Sequence, residues 1–289
     1  MLVNDGYTDN WQGEYAVLLA NGGGPPLVGI VVNANEPWPD MDTNVTGWRE
    51  LVTKARDSGL QNVPDPTAGV IPSVSSVLEA PASGKIEDTT PNRSAGASFI
   101  IATANELSLP YRPLTVATGG RLTDIADAYL LDPSIADKIV VVSSLGTLSS
   151  TGALMSNPNG EMDPWADLIV STRLRYVQVS AYYDQLNDVP ATDKSGLPPN
   201  VFGAWIAAKQ DKIYNIDVAS DQVSVLAAGL PAFVAAVSSV SARGAVTSTS
   251  GPTLVNDSRG GALLVTQSQG PLARVRFWDI LLDPHTFPH

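Results

Sequence analysis

The stretch NDGYTDN, residues 4–10, sets Asn4, Asp5, Asp9 and Asn10 around Gly6, directly after the first apolar residues of the chain. Oxygens grouped this closely suit two kinds of chemistry. One is the holding of a hard cation, which takes carboxylate, amide and carbonyl ligands; the other is acid–base work by paired carboxylates. The same residues also suit a capped turn, in which Asx side chains bond nearby backbone, Gly6 allows a positive φ, and a helix follows. Further polar groups of the same kind recur at Asn35, Thr123/Asp124, Glu161/Asp163/Asp167 and Asp221. Taken singly, each has a structural role open to it: a cap for Asp9, Asn10 or Asp221, a turn for Asp124, a helix start for Asp163 before Pro164.

Composition narrows the chemistry. The chain has no cysteine, which excludes disulfides, thiolate nucleophiles and Cys-type zinc sites. Its only histidines are His285 and His289, in the closing DPHTFPH, a poor base for a Ser–His–Asp triad or a His-rich metal centre. Catalysis would have to run on carboxylates, amides and hydroxyls, with or without a metal ion. Lys+Arg 17 against Asp+Glu 29 gives −12, which argues against a nucleic-acid partner, because phosphate binding needs a basic surface. No apolar run reaches membrane-span length, so no membrane partner is expected. Met1 leads straight into a strand without a signal-peptide pattern, which fits a soluble cytoplasmic protein or a mature extracytoplasmic domain without its leader.

The elements that must position these groups alternate along the chain. Strand-like apolar runs occur at 1–3, 27–33, 113–118, 138–146, 177–183, 262–267 and 273–282. Helix-like stretches occur at 10–21, 44–60 (closed by a glycine stop), 94–107, 123–137 and 221–236. Such alternation predicts βαβ units and an α/β fold with a mainly parallel central sheet flanked by helices. Ligands then bind at the carboxyl ends of the strands, where NDGYTDN, NANEPW and ATGGRLTD fall. Pro-, Ser- and Gly-rich segments at 63–94 and 184–200 read as long surface loops, and 143–160 is loop-like too. No internal repeat or composition shift marks a boundary, so one domain over 1–289 is expected.

In order along the chain, these motifs resemble the inosine–uridine nucleoside hydrolase family. The family opens on a strand, an Asp, four residues and a pair of acids; VNDGYTDN places Asp5, Asp9 and Asn10 at that spacing. Its asparagine after the second strand is matched by Asn35 in VVNANEP. Its Gly-x-Leu-Thr-Asn helix start resembles GRLTDIADAYLL. Its Glu-Phe-Asn with a later Asp resembles EMDPWAD (Glu161, Asp163, Asp167), and its late His-Asp resembles Ser220-Asp221 in SDQVSVLAAGLP. NDSRGGALLVTQSQGPLARVRFWDILL resembles its closing hairpin. A register built on Asn4, Thr8 and Asp9 is the alternative, but Asn4-Asp5-Gly6 matches Asp-Asp-Gly openings without a gap.

The resemblance implies a calcium-dependent N-ribohydrolase. Asp5, Asn10, the Thr123 carbonyl and Asp221 would hold Ca2+, with Asp5 as general base to a calcium-activated water that attacks the anomeric carbon of a riboside. Asp9, Asn35, Glu161 and Asp163 would hold the ribose hydroxyls, and an oligomer is expected. Three departures bear on activity. Asn10 stands for an acid and removes a charge from the ion site. Asp163 stands for an amide and can only accept hydrogen bonds when ionised. Ser220 stands for the histidine that helps the leaving base depart. Two readings stay open: a hydrolase acting on N-glycosyl bonds, or a non-catalytic ribosyl- or sugar-binding or structural homologue.

Overall fold

The structure, a computed structural model, describes residues 1–5, 10–34, 38–70, 78–144, 148, 163–179, 200–205, 208, 222–229, 234–241 and 261–268. Its centre is an eight-stranded sheet. The strands are β1 (Leu2–Asn4), β2 (Ile30–Val32), β3 (Pro66–Ala68), β4 (Leu114–Thr118), β5 (Ile139–Ser144), β6 (Arg175–Val179), β7 (Val234–Ser241) and β8 (Gly261–Ser268). They lie in the order β3-β2-β1-β4-β5-β6-β8-β7. Every neighbouring pair is parallel except β7–β8, so the predicted mainly parallel sheet is the one observed.

Strand alternation divides the core into two layers. Leu2, Ile30 and Val32 face one cluster, while Val3 and Val31 face the other, as side chains on a pleated strand must. The first layer is covered by α1 (Asn10–Asn21), α2 (Met41–Asp57) and α6 (Gln222–Gly229), through Val17, Leu19, Trp48, Leu51 and Val225. The second is covered by α3 (Ala95–Leu107), α4 (Thr123–Leu131) and α5 (Pro164–Arg173), through Ile100, Ala104, Ile125, Leu168 and Ile169. Helices on both faces leave the inner strands buried, which is why β5 reads as the continuous run IVVVSS rather than an alternation.

Local signals set several helix ends. The Asp40 side chain accepts from the Thr43 amide at 3.0 Å to start α2, which ends at Asp57 with Ser58 as its C-cap, before Gly59 in the left-handed region at φ 86. Ser94 Oγ accepts from the Ala97 amide at 2.9 Å to start α3. Three expectations change. The segment 63–94 contains β3, an edge strand opening on Pro66 and pairing with β2, and a 3-10 turn at Ile86–Asp88. The helix expected over 221–236 stops at Gly229 and gives way to β7; Leu230-Pro231 follows, and proline cannot continue the amide ladder. Likewise α4 ends at Leu131, and Pro133 begins a separate 3-10 turn, Pro133–Asp137. The strand expected at 273–282 lies outside the described residues, as does most of 143–160 and of 184–200.

Candidate functional site

The strand order reverses at β1. From β1 the chain runs to β2 and β3 on one side, then returns to β4, β5 and β6 on the other. In open α/β sheets this switch point opens a crevice at the carboxyl ends of the strands. Asn4 and Asp5 end β1 there, and both are buried, Asp5 at 3% exposure.

Asp5 is held by its surroundings. Its amide donates to Asn4 Oδ1 at 2.7 Å, and its carbonyl accepts from Trp48 Nε1 at 3.0 Å. Trp48 in turn lies against Gly13 of α1, where a side chain would collide with the indole ring. From β4 comes the turn Gly119-Gly120, with the Gly119 amide on the Val3 carbonyl at 3.3 Å. A Cβ on Gly120 would stand 2.9 Å from Asp5 Cγ and 3.0 Å from Oδ2. Glycine is required here by the carboxyl group beside it.

Around this strand end lies a set of buried polar side chains. Asn33 donates Nδ2 to the Arg121 carbonyl at 3.1 Å, and Arg121 Nη1 donates to the Ala34 carbonyl at 2.8 Å. Asn44 Nδ2 bonds the carbonyls of Asn33, at 3.3 Å, and Trp38, at 2.9 Å. Thr123, the first residue of α4, donates Oγ1 to Asp163 Oδ2 at 2.7 Å. That same oxygen accepts from the Leu78 amide at 3.1 Å, and Asp163 Oδ1 accepts from the Ala166 amide at 3.0 Å as the cap of α5. Next to Thr123, Asp124 Oδ1 accepts from Ser94 Oγ at 2.8 Å, and Asp127 accepts from the amides of Arg93, at 3.1 Å, and Ser94, at 2.8 Å. A Cβ on Gly69 or Gly96 would strike the Asp124 carboxyl.

Burial governs the charge of these acids. It pushes the Asp124 carboxyl up to about 6, with the Asp127 charge adding to it and the Ser94 hydroxyl opposing. Burial also raises Asp163, against the bonds from Thr123, Ala166 and Leu78 and the Arg121 charge. Asp167, fully buried, is held well above the usual carboxylate range by burial and by the nearby Asp163, with Arg121 opposing.

The predicted site residues divide accordingly. Asp5 and Thr123 stand at the ends of β1 and of the loop after β4, adjacent strands at the switch point. Asp163 is tied directly to Thr123, with both its oxygens accepting from protein donors, so its cap role is realised. Asn10 is the first residue of α1; its side chain, and Asp9, Asn35, Glu161 and Asp221 altogether, lie outside the described residues. Asn33, Asn44, Trp48, Arg121 and Asp127 were not singled out from the sequence. Asn33 and Arg121 sit in the two strand-end motifs, VVNANEP and GRLTD, which was the one signal that could have found them.

For a hard cation, the donors at this strand end are right in kind: the Asp5 carboxylate and the Thr123 carbonyl, whose oxygen has a lone pair beyond the one the helix engages. Among the described residues no group of three or more His, Cys, Asp or Glu converges on one point. No described helix is long and apolar enough to cross a membrane.

No family model and no curated protein matches the chain. Solved structures do. A purine-preferring ribonucleoside hydrolase from Gardnerella vaginalis superimposes with TM-score 0.65 at 16% identity, over 98% of each chain. The inosine-uridine preferring nucleoside hydrolase of Bacillus anthracis gives TM-score 0.64 at 15% identity, over 98% of each. The type III effector protein XopQ, solved in complex with adenosine diphosphate ribose, gives 0.65 at 11% identity, over 99% of this chain and 94% of its own. With strand order, switch point and these full-length superpositions in agreement, the protein has the fold of the nucleoside hydrolases.

Proposed function

We propose that the chain is a single-domain, nucleoside hydrolase-like N-glycosidase that cleaves the N-ribosidic bond of a nucleoside or related riboside. The observation that carries this reading is the buried Asp5 carboxyl at the end of β1, at the switch point of a sheet whose solved counterparts include named nucleoside hydrolases. Asp5 acts as general base, taking the proton of the attacking water. Asp9, Asn35 and Glu161 hold ribose hydroxyls. Asp163, with both oxygens engaged by protein donors, contributes by fixing Thr123. Asp5, Asn10, the Thr123 carbonyl and Asp221 would hold Ca2+, which supplies positive charge and lowers the pKa of water at the site. The transition state is oxocarbenium-like, as in other glycoside cleavages.

A second reading, a ribosyl-binding protein without turnover, is favoured by two observations. Asn10 stands where an acid is expected, and one full-length structural counterpart holds adenosine diphosphate ribose. The test is direct. Purine and pyrimidine ribosides are incubated with the protein and calcium, and free ribose is measured. Asp5→Asn should keep the fold yet lower turnover by roughly 10²–10⁴, because the amide cannot take a proton from water. Wild type that releases no ribose from any riboside, but binds adenosine diphosphate ribose, gives the second reading the lead. An active wild type with an equally active Asp5→Asn moves the base to the Asn4/Thr8/Asp9 register.

A further inference from the structure

Arg121 is almost fully buried, at 3% exposure, and the bonds it makes have a direction that the sheet order explains. It lies in the loop after β4, while its guanidinium reaches the carbonyl of Ala34, beyond the end of β2. In the sheet, β2 and β4 are the two neighbours of β1. Neighbouring strands stand about 4.8 Å apart, so a link from one side to the other crosses the end of β1 over a span of roughly 10 Å. The link is reciprocal: Asn33, at the end of β2, donates back to the Arg121 carbonyl. Between β2 and β4 lies the end of β1, Asn4 followed by Asp5, and the residue before Arg121 is Gly120, packed on the Asp5 carboxyl.

We infer that Arg121 is a positioning residue for Asp5: its two-way bridge to Asn33 and Ala34 holds the Gly119-Gly120 turn down on the Asp5 carboxyl. The effect on catalysis rests on the reading of Asp5 as general base; the bridge itself does not. Three further observations fit. The Asn33 amide bonds the Asn4 carbonyl at 2.9 Å and the Gly119 amide bonds that of Val3, so both ends of the bridge are also tied to β1. Asn44 fixes the Asn33 carbonyl from α2, so the anchor is itself held. The Arg121 charge also acts favourably on the buried acids Asp163 and Asp167 at the start of α5, which helps a cation to be buried at this point. A methionine at 121 would remove the bond to Ala34 and leave the main-chain carbonyl that Asn33 meets, so the two halves of the bridge can be cut one at a time.

The experiment compares wild type with Arg121→Met, which removes the bond to Ala34, and with Asn33→Ala, which removes the returning bond. Residue-resolved amide hydrogen exchange is read at Asn33 and Gly119 against the β4–β5 ladder, and kcat and KM are measured on whichever riboside the wild type cleaves. With the bridge broken, those two amides should exchange at least about tenfold faster in Arg121→Met, the size expected for losing one charge-assisted bond, and at least about threefold faster in Asn33→Ala, which loses a neutral one, while the ladder is unchanged. In an active protein kcat should fall at least about tenfold with KM within about threefold, because a misplaced base harms the transition state more than binding. Arg121→Met with wild-type exchange overturns the bridge. Faster exchange with unchanged kcat overturns the positioning of Asp5. If wild type cleaves no riboside, the hydrolase reading fails, and the exchange rates alone still decide the bridge. Should either variant not fold, the other decides.

Discussion

Asp124 offers a test of the buried polar network that does not depend on activity. Its carboxyl lies fully buried between α4, the start of α3 and the Gly69 backbone, and burial raises it from 3.8 to about 6. The sign of the effect follows from proton counting. Below pH 3.8 the group is protonated in both folded and unfolded chains and costs nothing. Between 3.8 and about 6 the folded protein holds a proton that the unfolded chain has released, so stability falls as pH rises; above 6 the loss is constant. At about 1.4 kcal/mol per unit, the wild type should lose about 2 kcal/mol between pH 4 and pH 8 from this residue alone. Asp124→Asn keeps an oxygen for the Ser94 hydroxyl and has no charge to bury. The measurement is urea unfolding of both proteins at several pH values, with a chelator present. Any fixed cost of the amide cancels when the stability difference is compared across pH, and the raised carboxyls of Asp163 and Asp167 act equally in both proteins. The variant should gain on wild type by about 2 kcal/mol from pH 4 to pH 8. Parallel stability curves would refute the assignment of a buried, raised carboxyl at this position.

Three other outcomes are expected. Gly120→Ala should destabilise by about 1–3 kcal/mol and shift the Asp5 carboxyl, since the new methyl group meets Asp5 Cγ at 2.9 Å; thermal melting checks it, and an unchanged Tm counts against the packing described. Asp163→Ala removes the cap of α5 and the acceptor for Thr123 Oγ1 and the Leu78 amide, which should lower stability by about 2–4 kcal/mol in urea unfolding. Calcium at a hundred times its Kd should stabilise the protein by about 2.7 kcal/mol, reversed by a chelator, and a Tm indifferent to both argues against an ion site.

The sequence by itself determined much of the local structure. Apolar β-branched runs such as IVVVSS and helix signals such as Ser94 and the Gly59 stop act through neighbouring residues, so they are legible without knowing the fold. Their alternation was enough for a mainly parallel α/β sheet, and the described parts of the polar loops, Asp5, Asn33 and Gly119 to Thr123, follow strand ends as that architecture requires. The short edge strand β3 and the strand β7 were not legible. Three residues opening on Pro66, and the small side chains of VAAVSSVS, become strands through a partner across the sheet rather than through their own pattern. The fate of the acids was also decided in three dimensions. Asp5 and Asp163 are the same residue type beside similar loops, yet one ends the strand at the switch point and the other caps a helix and binds Thr123. Arg121, by composition an ordinary surface cation, is buried because β2, β1 and β4 lie side by side and their ends need a link. Sequence spacing cannot express that, since strands adjacent in the sheet are separated by long and unequal stretches of chain, and only their pairing brings Asn33, Asp5 and Arg121 to one edge.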